Sequence, residues 1–183
     1  MLIRPADPAA DATACAAIYA PSVLDGVASL EERAPSPEEM AARIRTTSAA
    51  YPWLIAELEG KPVGYAYATE HRGRSAYRWS ADTTVYVSPR HHRRGVGRAL
   101  YDALFELLTA QGLYNACAGI TLPNDASVRL HEAMGFELIG VYRAIGYKHG
   151  RWLSVSWWQA QLRAPRDHAA PANPGPPARL DAQ

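Results

Sequence analysis

The most informative part of the sequence reads Thr84-Val85-Tyr86-Val87-Ser88-Pro89-Arg90-His91-His92-Arg93-Arg94-Gly95-Val96-Gly97-Arg98-Ala99-Leu100. A β-branched segment enters a basic turn, and an amphipathic helix follows at once. The free backbone N–H groups at a helix start and the positive end of the helix dipole form an anion site. Gly95 and Gly97 allow the backbone to approach a phosphate without Cβ clashes. The turn therefore predicts a phosphate-binding site, with positive charge supplied by Arg90, Arg93, Arg94 and Arg98.

Two other nucleotide-binding motifs do not match this turn. A dinucleotide-binding fingerprint would need a third glycine at the position that Leu100 occupies. A Walker A loop would need Gly-Lys followed by Ser or Thr, and the chain has no such sequence. An exposed basic helix start without a ligand remains an alternative on this turn alone, so the surrounding sequence has to decide between the two.

The overall composition excludes several function classes. The chain has 183 residues, 48% of them hydrophobic and 20% charged, which suits one globular domain. A formal net charge of +1 does not indicate a nucleic-acid or membrane partner. Cys15 and Cys117 match neither a disulfide framework nor a zinc spacing, and we interpret them as free thiols in a reducing compartment. With no signal peptide and no apolar run of ~20 residues, we expect a cytoplasmic enzyme.

Strand and helix signals alternate along the chain. Helices are predicted at 9–20 (ending before Pro21), from Ser36 onward, at 95–111 and at 124–134. Strands are predicted at 2–4, 53–57, 62–69, 83–87, 116–122, 136–142 and 154–162. This order predicts an α/β fold of the mixed α+β kind, in which a central twisted mixed sheet is flanked by helices.

The C-terminal segment differs in composition from the rest of the chain. Residues 164–183 contain five prolines, no aromatic residue and a single large aliphatic residue, Leu180. Such a segment buries too little apolar surface to offset the entropy of ordering it. We therefore predict one folded domain over residues 1–163, followed by a flexible Pro-rich tail over residues 164–183.

Two motifs resemble one known family. The turn from His92 to Gly97 resembles the coenzyme A pyrophosphate signature of the GNAT N-acetyltransferase superfamily, Gln/Arg-x-x-Gly-x-Gly/Ala, with His92 at the first position. Asn124 opens a second segment that resembles the other half of the pattern, a helix that ends in Gly135-Phe136. The resemblance implies the GNAT fold and acetyl-CoA as co-substrate.

More extended matches are similar to the phosphinothricin N-acetyltransferase branch of that family. This resemblance covers nearly the whole predicted domain, from about residue 3 to residue 161. It implies N-acetylation of phosphinothricin, methionine sulfoximine or methionine sulfone, and it implies a homodimer. The matching segments are 51–54, 64–68, 76–91, 122–125, 131–133 and 148–150.

The resemblance also implies catalytic residues. Asp82 stands where this branch carries a Glu that serves as the base for the amine, and aspartate is one methylene shorter. His131 stands where many family members carry the tyrosine that protonates the departing thiolate. An imidazole can assist deprotonation or donate a proton at neutral pH, so both roles remain open for His131. The backbone N–H of Val87 is expected to polarise the acetyl carbonyl.

The same resemblance implies the binding residues, and no metal is expected. For the acceptor they are Arg74 and Tyr77, in a basic loop suited to a carboxylate or phosphinate, and Leu30, where relatives often carry Phe. For acetyl-CoA they are Val85, Tyr86, Val87, Arg93, Arg94, Gly95, Val96, Gly97, Arg98 and Asn124.

Two alternatives to this function remain open at the level of sequence. The acceptor could be another small amine, such as a polyamine or an aminoglycoside, or a protein N-terminus. Cationic acceptors would prefer an acidic pocket, whereas the loop near Tyr77 is basic. The domain could instead be a non-catalytic acetyl-CoA sensor, but loss of both Asp82 and His131 would have favoured that, and both are present.

Overall fold

The computed structural model describes residues 1–165, 171–178 and 180, and these form a mixed sheet with helices on both faces. The helices are α1 (Ala12–Leu24), α2 (Pro37–Ser48), α3 (Val96–Gln111) and α4 (Asp125–Ala133). The strands are β1 (Leu2–Pro5), β2 (Trp53–Leu58), β3 (Lys61–Glu70), β4 (Ser80–Val87), β5 (Asn115–Leu122), β6 (Glu137–Lys148) and β7 (Arg151–Gln161). They follow the order β1-β2-β3-β4-β5-β7-β6, and among these described strands only the neighbours β4 and β5 pair in parallel. The predicted fold class, a mixed sheet flanked by helices, is confirmed.

The two parallel strands in the middle of the sheet pair over only three residues each. Ser80, Ala81 and Asp82 of β4 lie beside Asn115, Ala116 and Cys117 of β5. Beyond this point both strands continue, β4 on β3 and β5 on β7, without pairing with each other. The sheet therefore opens from Asp82 onward, and this opening positions the candidate site.

Each face of the sheet has its own core. On one face α3 lies against β1 to β4 and places its apolar side chains in the larger core. Val96, Leu100, Leu104, Leu107 and Leu108 are all buried, as their helical spacing predicted. On the other face α1 and α2 cover β2 and β3 and form the smaller core. No helix among the described residues has the length and apolar character needed to cross a bilayer.

The predicted end of α1 is wrong. The sequence predicts that this helix ends before Pro21, because proline lacks the N–H that continues a helix. In the structure α1 continues through Pro21 to Leu24. Val23, beyond the proline, is almost completely buried in the smaller core. Tertiary packing therefore holds the last turn of α1 in place despite the missing hydrogen bond.

The predicted end of β6 is also wrong. The sequence predicts that this strand ends at Tyr142, whereas in the structure it extends to Lys148. The register between β6 and β7 shifts between Tyr142 and Gly146, and Ala144 has a left-handed φ of 47°. A bulge interrupts the alternation of side chains by which strands are recognised in sequence. It therefore concealed the second half of β6.

The start of α2 matches its prediction in detail. The Ser36 hydroxyl accepts the N–H of Glu39 at 3.2 Å, and the Glu39 carboxylate accepts the N–H of Ser36 at 2.7 Å. This reciprocal capping box satisfies two N–H groups that the helix itself leaves without partners.

We expect Ser36→Ala to lower the free energy of unfolding by about 1 kcal/mol, because it removes this N-cap acceptor. Urea denaturation followed by circular dichroism would measure the change. Ser48→Ala, at the exposed end of the same helix, is the matched control and should change stability by less than about 0.5 kcal/mol. Equal losses in the two variants would contradict the role assigned to the cap.

Part of the C-terminal segment lies against the domain. The predicted tail also includes residues 166–170, 179 and 181–183, which lie outside the described residues. The N–H of Gly175 donates to the carbonyl of Gln111 at 2.7 Å, and the indole N–H of Trp79 donates to the carbonyl of Ala172 at 2.8 Å. Leu180 packs on the core formed by α3. The flexibility of the tail over residues 164–183 stays a prediction.

Candidate active site

A cavity of about 810 Å³ occupies the opening between β4 and β5. Thr83 to Val87 line one wall, Gly119 to Thr121 line the opposite wall, and the first turn of α3 closes one end. The cavity passes through the sheet, because it also contacts Ser22 of α1 on one face and His131 of α4 on the other. Its size lies within the range of small-molecule and cofactor sites.

The antiparallel pairing of β3 with β4 determines which backbone groups face this cavity. Ser88 donates its N–H to Val63 at 2.8 Å, so that pair and every second pair after it are hydrogen-bonded across the two strands. Val87 and Val85 lie at the intervening positions, opposite Gly64 and Ala66. Their N–H groups therefore point away from β3 and toward the opening. This is the geometry that the predicted role of Val87 requires.

The predicted phosphate turn lies at the start of α3. Gly95 is the N-cap and has a left-handed φ of 78°, and Arg93 also has a positive φ of 61°. The carbonyl of Gly95 accepts the N–H of Ala99, so the N–H groups of the first helical residues have no partner within the helix. The turn therefore presents free donors, a helix dipole and arginine side chains to one end of the cavity.

The two glycines of the turn have different reasons for lacking a side chain. A Cβ at Gly95 would contact nothing within 4 Å, so the positive φ is what favours glycine there. A Cβ at Gly97 would lie 2.9 Å from a terminal methyl carbon of Leu130 on α4. Gly97 therefore allows α3 and α4 to pack closely. The sequence alone predicts close approach to a phosphate as the reason at both positions.

Most of the residues predicted to bind acetyl-CoA line the cavity, whereas Arg94 is not among the lining residues. The Tyr86 ring packs edge-on against Tyr19 of α1, with 4.7 Å between the centroids. The side chain of Asn124 caps α4 by accepting the N–H of Ser127 at 3.2 Å. The predicted residues that line the cavity are Val85, Tyr86, Val87, Arg93, Gly95, Val96, Gly97, Arg98 and Asn124.

His131 lies on α4 at the wall of the cavity and is only 4% exposed. Its Nδ1 lies 2.8 Å from the carbonyl oxygen of Ser127, and its Nε2 lies 2.9 Å from the hydroxyl of Tyr101 on α3. Because a carbonyl can only accept, Nδ1 carries the proton and the neutral ring accepts the Tyr101 hydroxyl at Nε2. Burial lowers the pKa of His131, although the hydrogen bond to Ser127 opposes this effect. The ring is therefore neutral at pH 7.

Asp82 lies at the point where β4 and β5 separate. One carboxylate oxygen lies 2.6 Å from Nδ1 of His71, the residue that follows β3. The thiol of Cys117, on the adjacent strand, completes a cluster in which the three polar atoms lie within 4.8 Å of one another. Burial raises the pKa of Asp82, and the hydrogen bond from His71 partly offsets that rise.

The two predicted catalytic side chains lie on opposite faces of the sheet. Side chains alternate along a strand, and Ala81, Val85 and Val87 belong to the core on the α3 face. Asp82 therefore points to the other face, the one that α1 and α2 partly cover. His131 contacts Tyr101 and Phe136 on the α3 face. The structure thus places both residues near the opening but does not bring them into contact with each other.

Comparisons with known proteins identify the family. Residues 6–157 match the family model described as Acetyltransferase (GNAT) domain. This chain belongs to the GNAT family of acetyltransferases. The match covers most of the described fold, including the turn at the start of α3 and both walls of the cavity.

Individual proteins resemble this GNAT chain over most of its length. It is 43% identical to phosphinothricin N-acetyltransferase of Streptomyces viridochromogenes, over 95% of this chain and 91% of that protein. It is 35% identical to L-methionine sulfoximine/L-methionine sulfone acetyltransferase of Salmonella typhimurium, over 93% and 98% of the two chains. The crystal structure of a GNAT superfamily phosphinothricin acetyltransferase from Sinorhizobium meliloti in complex with AcCoA has a TM-score of 0.84 and 40% identity, over 93% and 95% of the chains.

Family membership makes this chain an acetyl-CoA-dependent N-acetyltransferase. The groups that line the cavity suit that co-substrate. Free amides and arginines at the start of α3 suit its diphosphate, and the N–H groups along β4 suit its extended amide-bearing arm. When bound, acetyl-CoA supplies an activated acetyl group as a thioester.

The residues predicted to bind the acceptor lie outside this cavity. Tyr77 is 44% exposed and packs edge-on against His71, with 5.8 Å between the ring centroids. Arg74 is exposed at the start of the short 3₁₀ helix that contains Tyr77. Leu30 lies against Gly146 of β6, where a Cβ would come within 2.9 Å of its side chain. These three positions therefore remain predictions for the GNAT acceptor site.

Two side chains to which the sequence assigns no role contact the predicted catalytic residues. Tyr101 is buried on α3 and holds His131. His71 holds Asp82. Thr69 lies directly opposite Asp82 in the sheet, so His71, two residues further, falls on the same face as a diagonal neighbour. The positions of His71 and Asp82 along the chain do not by themselves predict this contact, because it depends on the register between β3 and β4.

Proposed function

We propose that this enzyme transfers the acetyl group of acetyl-CoA to the amino group of a small amino-acid analogue of the phosphinothricin, methionine sulfoximine or methionine sulfone type. The observation that carries this proposal is the carboxylate of Asp82 at the start of the opening between β4 and β5. It lies on the face opposite α3, beyond the part that α1 and α2 cover. An acceptor on that face would meet the thioester through the opening.

The surroundings of Asp82 favour an acceptor that carries an anionic group. The guanidinium of Arg72 lies 5.6 Å from the centre of a Trp157 ring, beside the cluster around Asp82. Arginine binds carboxylates and phosphinates through paired N–H donors, and the aromatic ring restricts where the guanidinium can lie. The phosphinothricin and methionine sulfoximine/methionine sulfone acetyltransferases that this chain resembles are named for the same class of acceptor.

The energetic demand on the base is small. An α-amino group has a pKa near 8, so roughly one molecule in ten is neutral at pH 7. Since one pKa unit corresponds to ~1.4 kcal/mol, deprotonation of such a group costs about 1–2 kcal/mol. A free amino acid needs somewhat more, because its own carboxylate stabilises the ammonium. A carboxylate-containing cluster beside the amine is sufficient for this step.

The reaction proceeds by direct transfer. After the ammonium gives one proton to the cluster at Asp82, the neutral nitrogen attacks the thioester carbon while the N–H of Val87 stabilises the carbonyl oxygen. The C–N bond forms and the C–S bond breaks. The nitrogen loses its second proton and the sulfur gains one, so the amide and the free thiol are the products. His131 and the Tyr101 hydroxyl form a hydrogen-bonded pair on the α3 face, and we assign to this pair the transfer of the proton to the sulfur.

The thiol of Cys117 supports direct transfer over an acetyl-enzyme intermediate. It lies close to Asp82 and would be the nearest candidate nucleophile. Burial raises its pKa to about 11, with the charge of Asp82 adding to the rise. The thiol therefore stays protonated at neutral pH, and a protonated thiol is a poor nucleophile. The free, buried state of both cysteines also suits a cytoplasmic enzyme.

A homodimer is part of the proposal. β6 lies at the edge of the sheet, and the β6–β7 hairpin exposes a group of large apolar side chains. An exposed edge strand of this kind is a surface that proteins usually cover. Sedimentation equilibrium would measure the oligomeric state, and a monomer at micromolar concentration would reject this part. The exposed residues are Leu138, Ile139, Val141, Tyr142, Ile145, Tyr147 and Trp152.

A thiol-release assay with acetyl-CoA tests the proposed acceptor. We expect turnover with phosphinothricin, methionine sulfoximine or methionine sulfone, and at least tenfold lower kcat/KM with spermidine, kanamycin and an alanine-terminated peptide. Expression in a sensitive host should then confer resistance to the preferred analogue. Acetyl-CoA binding without turnover of any of these amines would overturn the proposal in favour of a sensor.

A further inference from the structure

His71 is hydrogen-bonded to Asp82 and lies on the face of the sheet where we propose that the acceptor binds. Its Nδ1 lies 2.6 Å from the Asp82 carboxylate, which as an anion can only accept a hydrogen bond. Nδ1 is therefore the donor, and in the neutral ring the lone pair lies on Nε2. The Asp82 carboxylate thus fixes both the tautomer and the direction of the imidazole.

Aromatic side chains hold the ring of His71 in place from two sides. Tyr77 packs edge-on at 5.8 Å and Trp157 edge-on at 6.4 Å between centroids. Nε2 makes no hydrogen bond to any residue in the described ranges, and the side chain keeps 16% of its surface exposed. The ring is therefore immobilised while its basic nitrogen stays accessible, which suits a group that meets a ligand.

The hydrogen-bonded cluster is arranged for proton sharing rather than for binding a metal ion. Two atoms that ligate one zinc ion tetrahedrally, each at about 2.0–2.1 Å, lie about 3.3 Å apart. Nδ1 of His71 and the oxygen of Asp82 are closer than that, at the distance of a strong charge-assisted hydrogen bond. The elements packed around the ring contribute four charged or titratable groups. They are Asp82 on β4, Cys117 on β5, Tyr77 on the 3₁₀ helix and Arg72 in the loop that contains His71.

We propose that Nε2 of His71 is the atom that takes the proton from the acceptor's ammonium group, and that Asp82 orients the imidazole and stabilises the imidazolium. This assignment rests on the proposed function, in which an amine is acetylated. The N–H bond of the ammonium breaks, an N–H bond forms at Nε2, and the neutral amine attacks the thioester. The imidazolium later releases its proton to solvent. An imidazole suits this step because it exchanges protons near neutral pH.

Kinetics of His71 variants test the proposal. His71→Gln should lower kcat/KM for the acceptor by at least about 10²-fold and leave the KM for acetyl-CoA within about twofold. His71→Gly should regain at least tenfold of its lost activity when imidazole is added to the assay, which a merely structural role would not allow. His149→Asn is the matched control, because His149 is exposed in the β6–β7 turn at a positive φ that Asn tolerates.

Asp82→Glu separates this proposal from direct action of the carboxylate. Glutamate is one methylene longer and would push against the His71 ring that now lies 2.6 Å away. We expect lower activity in Asp82→Glu than in the wild type. Activity equal to or above the wild type, together with full activity of His71→Gln, would overturn the role of His71.

A measurement without an acceptor distinguishes failure of this proposal from failure of the proposed function. Nitrogen-15 NMR of histidine-labelled protein should find neutral His71 as the Nδ1–H tautomer, and Asp82→Asn should shift that resonance. The Nε2–H tautomer in the wild type would overturn the proposal whichever amine is acetylated. If the tautomer is Nδ1–H but none of the tested amines is turned over, the acceptor assignment fails and the geometry of the pair stands.

Discussion

Asp82→Asn should lower kcat/KM for the acceptor by about 10²–10⁴-fold while the Kd for acetyl-CoA stays within about threefold. The substitution keeps the shape of the side chain but removes the negative charge that supports proton removal from the amine. Acetyl-CoA binding is spared because Asp82 is not among the residues that line the cavity between β4 and β5. Steady-state kinetics and calorimetric titration with acetyl-CoA would measure the two effects separately.

The control for this variant is Asp25→Asn, which removes an exposed carboxylate at the end of α1. It should leave kcat/KM within about twofold of the wild type. Asp82→Asn with near-normal kcat/KM would mean that the carboxylate has no part in amine activation. A parallel loss of acetyl-CoA affinity would instead point to a structural role at the junction of β4 and β5.

His131→Ala should lower kcat by about 10²-fold with little change in acetyl-CoA affinity. The substitution removes the acceptor for the Tyr101 hydroxyl on the α3 face of the cavity. It also leaves that hydroxyl buried without a partner and creates a void, so we expect the free energy of unfolding to fall by about 2–4 kcal/mol. Assays at saturating substrate would measure kcat, and urea denaturation would measure the free energy of unfolding.

Tyr101→Phe is the matched variant, because it removes the other half of the same hydrogen bond. If the pair serves the departing sulfur as a unit, its effect on kcat should be similar to that of His131→Ala, and the double variant should add little. An unaltered kcat in both single variants would reject any catalytic role for the pair and leave it as part of the core.

The same histidine should make stability depend on pH. Burial lowers the pKa of His131 below its unfolded value near 6.5, so the unfolded chain takes up a proton before the folded chain does. The free energy of unfolding should therefore decrease as the pH falls from about 6.5 through the lower folded pKa. His131→Asn should lose this part of the dependence, and identical pH profiles of the two proteins would contradict the assignment.

The sequence predicted features whose causes are local. The turn that starts α3 was recognisable because a positive φ at Gly95 and a row of free amides need a particular order of residues. The core-facing side of α3 followed from helical spacing, and the cap of α2 followed from Ser36 and Glu39. Each of these depends on residues within a few positions of one another, so the sequence alone contains the information.

Features that depend on distant contacts could not be predicted in this way. The last turn of α1 persists past Pro21 because Val23 is buried against strands far along the chain. His131 could not be separated from Asp82 until the sheet faces were known, since the position of α4 depends on the path of the chain after β5. His71 reaches Asp82 only because β3 and β4 pair in one particular register.

The short pairing of β4 with β5 gives the sheet two interior borders in addition to the outer ones at β1 and β6. Rows of unpaired amides and carbonyls normally invite strands from other molecules and so promote aggregation. Here residues of α3 and α4 line the gap on one side of the sheet, which leaves less room there for a strand from another molecule. The unpaired backbone amides and carbonyls can thus remain available to a narrow, extended ligand while being shielded on that side from strands of other protein molecules.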